Sequence, residues 1–91
     1  MKRRYEGISM DRLDYAILDL LLNKCEATTK MTAVSRKVIL SEMMINDKTL
    51  YRRLATLIGK GFVSKGIMDI REHTYFITDD GKKELYKEVT E

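Results

Sequence analysis

Residues 46–61 constrain the fold more tightly than any other part of this sequence. Leu50, Leu54 and Leu57 recur at spacings of four and three, which places them on one face of an α-helix. Asn46 stands where a helix N-cap is expected, and two glycines close the segment. The sequence therefore predicts a helix over residues 47–59 with a leucine face turned to the core.

The same helix opens a basic stretch of the chain. From Lys48 to Met68 there are five basic residues and no acidic one, although the formal net charge of all 91 residues is only +3. The face opposite the leucines holds long cationic side chains in its first half and small residues in its second. Its residues are Lys48, Arg52, Ala55 and Gly59, with Tyr51 and Thr56 on the shoulders. This division suits a helix that enters the major groove of DNA.

The first helix is predicted from about Met10 to Lys24, with Ser9 as its cap. Its core face is expected to comprise Leu13, Ala16, Ile17, Leu20 and Leu21. A second stripe has the spacing of a helix–helix seam and comprises Tyr15, Leu18, Leu22 and Cys25. This stripe packs either on the closing helix, through Tyr86 or Val89, or on a second copy of the chain. We favour the homodimer, because it would present two reading helices to one DNA site.

The remaining elements follow from caps, turns and alternation. A short strand is expected near Met31 to Val34, followed by a helix that Ser35 caps. The inner side of this second helix is predicted to hold Val38, Ile39 and Met43. Two strands then flank the turn at residues 69–72, and Thr78 caps a closing helix. Leu85 and Val89 should face inward from that last helix.

This order of elements resembles the winged helix-turn-helix family, including MarR-like and PadR-like regulators. The resemblance is carried by "SRKVILSEMMINDKTLYRRLATLIGKGFV" and "TYFITDDGKKEL". It implies an α+β fold with a three-helix core, a C-terminal β-hairpin wing and a closing helix. We expect one domain over residues 1–91, with residues 1–8 as a basic tail. Met44 departs from the family, whose turns often carry glycine at this place.

The expected contacts with DNA divide between bases and backbone. Base readout is assigned to Lys48, Thr49 and Arg52, and Arg52 is the best candidate for a bidentate contact to guanine. Tyr51, Arg53 and Thr56 are assigned to the DNA backbone. The resemblance adds Lys65, Arg71 and His73 of the wing, and the tail residues Lys2, Arg3 and Arg4 would add attraction of no sequence preference. Asp47 and Glu72 flank this basic surface and oppose it.

Several other classes of protein are not indicated. The single Cys25 cannot form an intrachain disulfide, and no apolar run approaches the length of a membrane span. His73, the only histidine, has no partner at metal-ligand spacing. No catalytic grouping or phosphate-binding glycine loop is recognisable. We therefore expect a cytoplasmic protein that is not an enzyme and holds no metal or cofactor.

Two functions remain. The first is sequence-specific binding of double-stranded DNA by a small transcriptional repressor that reads the major groove with helix 47–59. The alternative is a winged helix used as a protein-interaction module in a replication, plasmid-maintenance or transcription assembly. Salt separates them, because binding through phosphates weakens steeply with ionic strength.

Overall fold

A computed structural model describes residues 10–68 and 71–90 of the chain, with side chains through residue 87 of the last helix. The order of elements is the predicted one. The helices are α1 (Arg12–Asp19), which continues as a π-helical turn (Leu20–Lys24), α2 (Arg36–Glu42), α3 (Asp47–Gly59) and α4 (Asp79–Thr90). The strands are β1 (Val34–Ser35), β2 (Val63–Lys65) and β3 (Thr74–Ile77). The chain is thus an α+β winged helix-turn-helix, in which α2 and α3 form the helix-turn-helix.

The three strands form one antiparallel sheet in the order β1-β3-β2. The hairpin of β2 and β3 is the wing, and its register pairs Val63 with Ile77. Gly66 follows β2 at a close approach to the loop before β1. A Cβ at this position would collide with the side chain of Ala33 and lie 2.8 Å from the Lys30 carbonyl oxygen. A glycine is therefore required for the root of the wing to rest on that loop.

A single apolar cluster joins the helices to the sheet. The leucine face of α3 is fully buried in it, as its spacing predicted, and Leu85 of α4 is buried too. The side chain of Val89 lies outside the described residues. The buried cluster consists of Ile17, Leu18, Leu21, Ala27, Ile39, Leu50, Leu54, Leu57, Val63, Tyr75, Ile77 and Leu85.

Three helix starts have the predicted caps. The Ser35 hydroxyl accepts from the Val38 backbone N–H at 3.4 Å, and the Asn46 side chain accepts from the Thr49 N–H at 2.8 Å. The Thr78 hydroxyl accepts from the backbone N–H of Gly81 at 3.1 Å. Each bond satisfies an N–H that the first turn of a helix leaves without a carbonyl partner. These local signals were therefore sufficient to locate the starts of α2, α3 and α4.

The start of α1 differs from the prediction. Asp11, not Ser9, is the N-cap, and the helix begins at Arg12. Asp11 and Asp14 form a reciprocal capping box, in which each carboxylate accepts from the backbone N–H of the other at 3.1 Å. Two bonds hold this cap, which makes it a stronger start than a single serine hydroxyl two residues earlier. Ser9 lies outside the described residues.

The two apolar stripes of the first helix are not arranged as predicted. Leu18, which was assigned to the dimer seam, is fully buried in the core of its own chain, whereas Ala16 of the expected core face is exposed. The Tyr15 hydroxyl donates to Glu84 of α4 at 2.8 Å, so this part of the stripe contacts the closing helix. A seam that contains Leu18 is therefore wrong. The first helix contacts α4 on one side and the rest of the core on another, and its apolar residues pack in both directions.

The π-helical turn is a second reason why the apolar residues depart from the predicted stripes. Its extra residue per turn is marked by the bond from the Cys25 N–H to the Leu20 carbonyl at 2.9 Å, a separation of five residues. Beyond Leu20 the residues no longer follow the 3.6-residue period from which both stripes were drawn. Leu22 and Cys25 are half-buried and pack against the core.

In the helix-turn-helix, Ile39 is buried and Met43 half-buried as predicted, but Val38 is exposed. The helix α2 has only seven residues, so one side suffices to meet the core. At its end Met43 is extended, with φ −128° and ψ 145°. Among the described residues other than glycine, only Glu26 has a positive φ. Met44 therefore takes the place of the usual glycine without backbone strain.

Candidate nucleic-acid interface

The outer face of α3 is exposed along its whole length, as the helix periodicity predicted. The exposed residues are Lys48, Tyr51, Arg52, Ala55 and Gly59. Within the part of the chain that the structure describes, neither Lys48 nor Arg52 makes an ion pair. Their charged groups are thus available to a ligand, and the opposite face anchors the helix in the core.

The two threonines of α3 are less available than this face. Thr49 and Thr56 are both half-buried. The Thr56 hydroxyl donates its proton to the Arg52 carbonyl oxygen at 3.1 Å, which leaves it only as an acceptor for other groups. A phosphate oxygen needs a donor, so the structure does not support Thr56 as a backbone contact. Thr49 remains a candidate at the edge of the reading face.

The wing residues divide into two places. Lys65 lines a cleft together with Tyr51 and Ala55 of α3 and Tyr75 of β3. Arg71 and His73, both exposed, border a separate hollow with Arg36 and Lys37 of α2. Lys65 of the wing therefore continues the surface of α3, whereas Arg71 and His73 lie beside the start of α2. Lys2, Arg3 and Arg4 lie outside the described residues.

Arg53 is not free for a phosphate, contrary to its predicted role. One of its guanidinium nitrogens lies 2.7 Å from the Asp11 carboxylate and 3.3 Å from both oxygens of Asp14. Asp14 is only 4% exposed, so loss of this partner would leave its carboxylate buried without a cationic neighbour. The side chain of Arg53 therefore links α3 to the capping box of α1, and its assignment to the DNA backbone is corrected.

The Arg53 contact changes the acidity of its partner. The hydrogen bond from Arg53 is the largest cause that holds the pKa of Asp11 below its ordinary value of 3.8. The same bond raises the pKa of Arg53. Both groups therefore stay charged at neutral pH, and the link between the two helices is an ion pair.

The sequence did not reveal how the two acidic neighbours of the basic surface are compensated. Asp47 receives two hydrogen bonds from Arg36, at 2.7 and 3.2 Å, and Glu72 pairs with Lys37 at 3.2 Å. Both cations belong to the first turn of α2. Nothing in the sequence indicated these pairs, because their members are far apart along the chain and meet only in the fold.

Neither a metal centre nor a membrane span is evident among the described residues. No three of their His, Cys, Asp or Glu side chains are grouped so as to hold a metal ion. No helix in residues 10–68 and 71–90 has the length and apolar character that crossing a membrane requires. The exposed face of α3 and the adjoining cleft form the candidate site of the described surface.

Known structures share this fold. The structure of TubR from Bacillus megaterium pBM400 superposes with a TM-score of 0.80 at 19% identity, over 96% of this chain and 97% of that one. The complex structure of hsRosR-S1 gives 0.74 at 22% identity, over 93% of this chain and 74% of that one. That of hsRosR-S4 gives 0.73 at 22% identity, with 96% and 74% covered.

These comparisons establish the winged helix-turn-helix architecture across nearly the whole chain. No protein-family model matches the sequence, and no curated protein does. The more specific resemblance to MarR-like and PadR-like regulators stays a prediction. Identity of 19–22% shows a common fold only, so the argument for a function rests on this chain's own surface.

Proposed function

We propose that this protein binds double-stranded DNA in a sequence-specific way and acts as a small transcriptional repressor. The observation that carries the proposal is the division of α3. Its leucine face is fully buried, while Lys48 and Arg52 project from the opposite face without an ion-pair partner in the described chain. A cationic helix held rigidly as the second helix of a helix-turn-helix is suited to the major groove.

We expect different tasks along the helix. Arg52 can donate two parallel hydrogen bonds to O6 and N7 of one guanine, which is the commonest specific contact in the major groove. Lys48, one turn earlier, can reach a base edge or a phosphate. Ala55 and Gly59 carry little or no side chain, so the helix can lie close to the groove floor.

The cleft beside α3 supplies a path for the DNA backbone. Lys65 of the wing and Tyr51 of α3 both line it. An ammonium group and a phenol hydroxyl can each donate to phosphate oxygens, which fixes the register of the protein without reading sequence. Arg71 and His73 would reach a second stretch of backbone. Repression then requires only that the protein occupy its operator. We expect this to take place in the cytoplasm.

We also propose a homodimer through the first helix, on a different face from the seam that the sequence suggested. Leu13, Ala16 and Leu20 border an open groove together with Met43 and Met44 of the helix-turn-helix. Ala16 and Met44 are exposed, and the other three are half-buried. The lining of this open groove also includes Asp19, Lys24 and Glu42. A second copy could cover its apolar side chains, and a two-fold dimer would double the base pairs read.

Selection from a random duplex library tests the DNA proposal. We expect a recovered motif in which a guanine is strongly preferred, and an affinity that falls steeply with salt. Recovery of no motif, together with weak and salt-insensitive binding, would contradict the proposal and favour the protein-interaction module.

Sedimentation tests the dimer. Ala16→Glu places a charge in the groove without disturbing the core, because Ala16 is exposed, and should convert a dimer to a folded monomer. Val38→Glu, at an exposed apolar site on α2, is the matched control and should leave the dimer intact. A wild-type protein that sediments as a monomer at tens of micromolar would refute the dimer.

A further inference from the structure

The first turn of α3 carries a carboxylate, Asp47, at the end of the helix that would lead into the groove. Its side chain is 56% exposed. A negative charge favours the start of a helix because it interacts with the partial positive charge of the free N–H groups. The same charge would repel phosphates. The carboxylate of Asp47 therefore stabilises the helix but disfavours binding of the proposed DNA ligand.

Arg36 of α2 lies next to Asp47 and compensates its negative charge. Its Nε lies 2.7 Å from one oxygen of Asp47, and a terminal nitrogen lies 3.2 Å from the other. This bidentate arrangement is the strongest geometry available to the pair and also fixes both side chains in orientation. The two charges cancel at the surface where DNA would approach.

The same guanidinium also covers a second residue of α3. Its central carbon lies 5.1 Å from the ring centroid of Tyr51, a distance at which a cation is attracted to an aromatic face. Tyr51 is one turn beyond Asp47 and is 56% exposed. Arg36 therefore contacts two successive turns of the reading helix on its exposed side.

We propose that Arg36 is a positioning residue for the DNA interface, which neutralises Asp47 and orients Tyr51 toward the phosphate backbone. The inference rests on the proposed function, because a charge at this place matters only if a polyanion approaches it. Arg36 need not contact DNA itself. Its effect on binding passes through Tyr51 and mainly through Asp47, whose exposed carboxylate would otherwise lie within the screening length of the nearest phosphates.

A double-mutant cycle tests this. Affinity for a selected duplex is measured over a salt series for wild type, Arg36→Ala, Asp47→Asn and the double variant. Arg36→Ala should weaken binding roughly tenfold, since it leaves Asp47 uncompensated. Asp47→Asn should bind more tightly than wild type, with a steeper salt dependence. The double variant should recover most of the loss, because the unfavourable charge is gone, and should fall short of wild type only by the lost orientation of Tyr51.

Other outcomes overturn the inference. A double variant as weak as Arg36→Ala, with a salt slope shallower by about 0.9, would show that Arg36 itself contacts a phosphate. An Arg36→Ala variant that binds like wild type would show that Asp47 is no obstacle. Should Arg36→Ala fail to fold by circular dichroism, the Asp47→Asn arm still decides, because unaltered affinity there contradicts the inference.

Matched variants separate local from general charge effects. Lys82→Ala and Asp79→Asn remove the members of an ion pair on α4 at 3.7 Å, with the same changes in net charge. They should leave the affinity nearly unchanged. Arg36→Lys keeps the charge but loses the bidentate bond, and should recover part of the loss. A wild type that selects no duplex would instead contradict the proposed function, which the cycle presupposes.

Discussion

Arg52 and Arg53 are neighbours in the sequence, yet they belong to two regions of different character. Arg52 lies on the outer face of α3, exposed and without an ion pair in the described chain. Arg53 lies on the shoulder against α1, is 33% exposed and contacts two carboxylates. A step of one residue turns the side chain by about 100° around the helix. Identical side chains can therefore serve binding at one position and stability at the next.

The comparison shows that a basic residue in a basic stretch is not automatically part of a binding surface. Of the cations near the candidate interface, Arg36, Lys37 and Arg53 are committed to carboxylates within the chain. Lys48 and Arg52 are not. The candidate interface is therefore marked by the cations that have no carboxylate partner within the described chain.

The largest expected effect is on stability, at Arg53. Arg53→Ala would leave Asp14, which is 4% exposed, without its cationic partner, and should lower the free energy of unfolding by about 3 kcal/mol. Urea denaturation measures this. Arg52→Ala is the matched control and should change stability by less than about 0.5 kcal/mol. Equal stability of the two variants would mean that the Arg53 pair contributes nothing to the fold.

The next effect is on binding, at Arg52. Arg52→Ala should weaken specific binding by about 2 kcal/mol and relax the preference at one base pair, as expected for a lost bidentate contact. Titration of the selected duplex and of single-base variants measures both quantities. A variant with the wild-type motif and affinity would remove α3 from its assigned role as the reading helix.

A smaller effect is expected in the wing. Replacing Lys65 and Arg71 together by alanine should weaken binding by a similar factor on all sequences, because phosphate contacts carry no sequence information. The slope of log affinity against log salt should become shallower by about 1.8, which corresponds to two phosphates. Lys30→Ala, an exposed cation in the loop before β1, provides a comparison. An unaltered slope would place the wing away from the DNA.

The smallest effect concerns pH, at Asp11. Its folded pKa is depressed by Arg53, so its contribution to stability is complete above the ordinary value of 3.8 and is lost as pH falls through the folded value. Below about pH 4, wild type should therefore lose stability more steeply than Asp11→Asn, which keeps a good N-cap. Unfolding measured from pH 6 to 2.5 tests this. Parallel curves for the two proteins would show that Asp11 gains nothing from its pair.

Much of the fold could be predicted because its signals are local. Asn46 caps the helix that the leucine spacing defines, and both features lie within one short segment of chain. Gly61, with φ 84°, ends it where a residue without a Cβ is favoured. The alternation of apolar and polar residues in the two strands, and the short turn between them, likewise predicted the hairpin. Such elements need no knowledge of distant residues.

The first helix could not be predicted as well, for the opposite reason. It carries more apolar residues than one face needs, and periodicity alone could not decide between Ala16 and Leu18 for the core. The choice depends on α4 and the rest of the core, which contact different sides of it. The π-helical turn from Leu20 onward then changes the period on which any such prediction relies.

The sequence by itself determined the order of elements, the caps of three helices and the outward face of α3, because helix periodicity and capping act over a few residues. Only the tertiary structure decided which charges remain available on that face. Arg53 meets Asp11 across 42 residues and Arg36 meets Asp47 across 11. Such pairs form only where folding brings distant side chains within hydrogen-bond distance, and the spacing of residues along the chain does not contain that information.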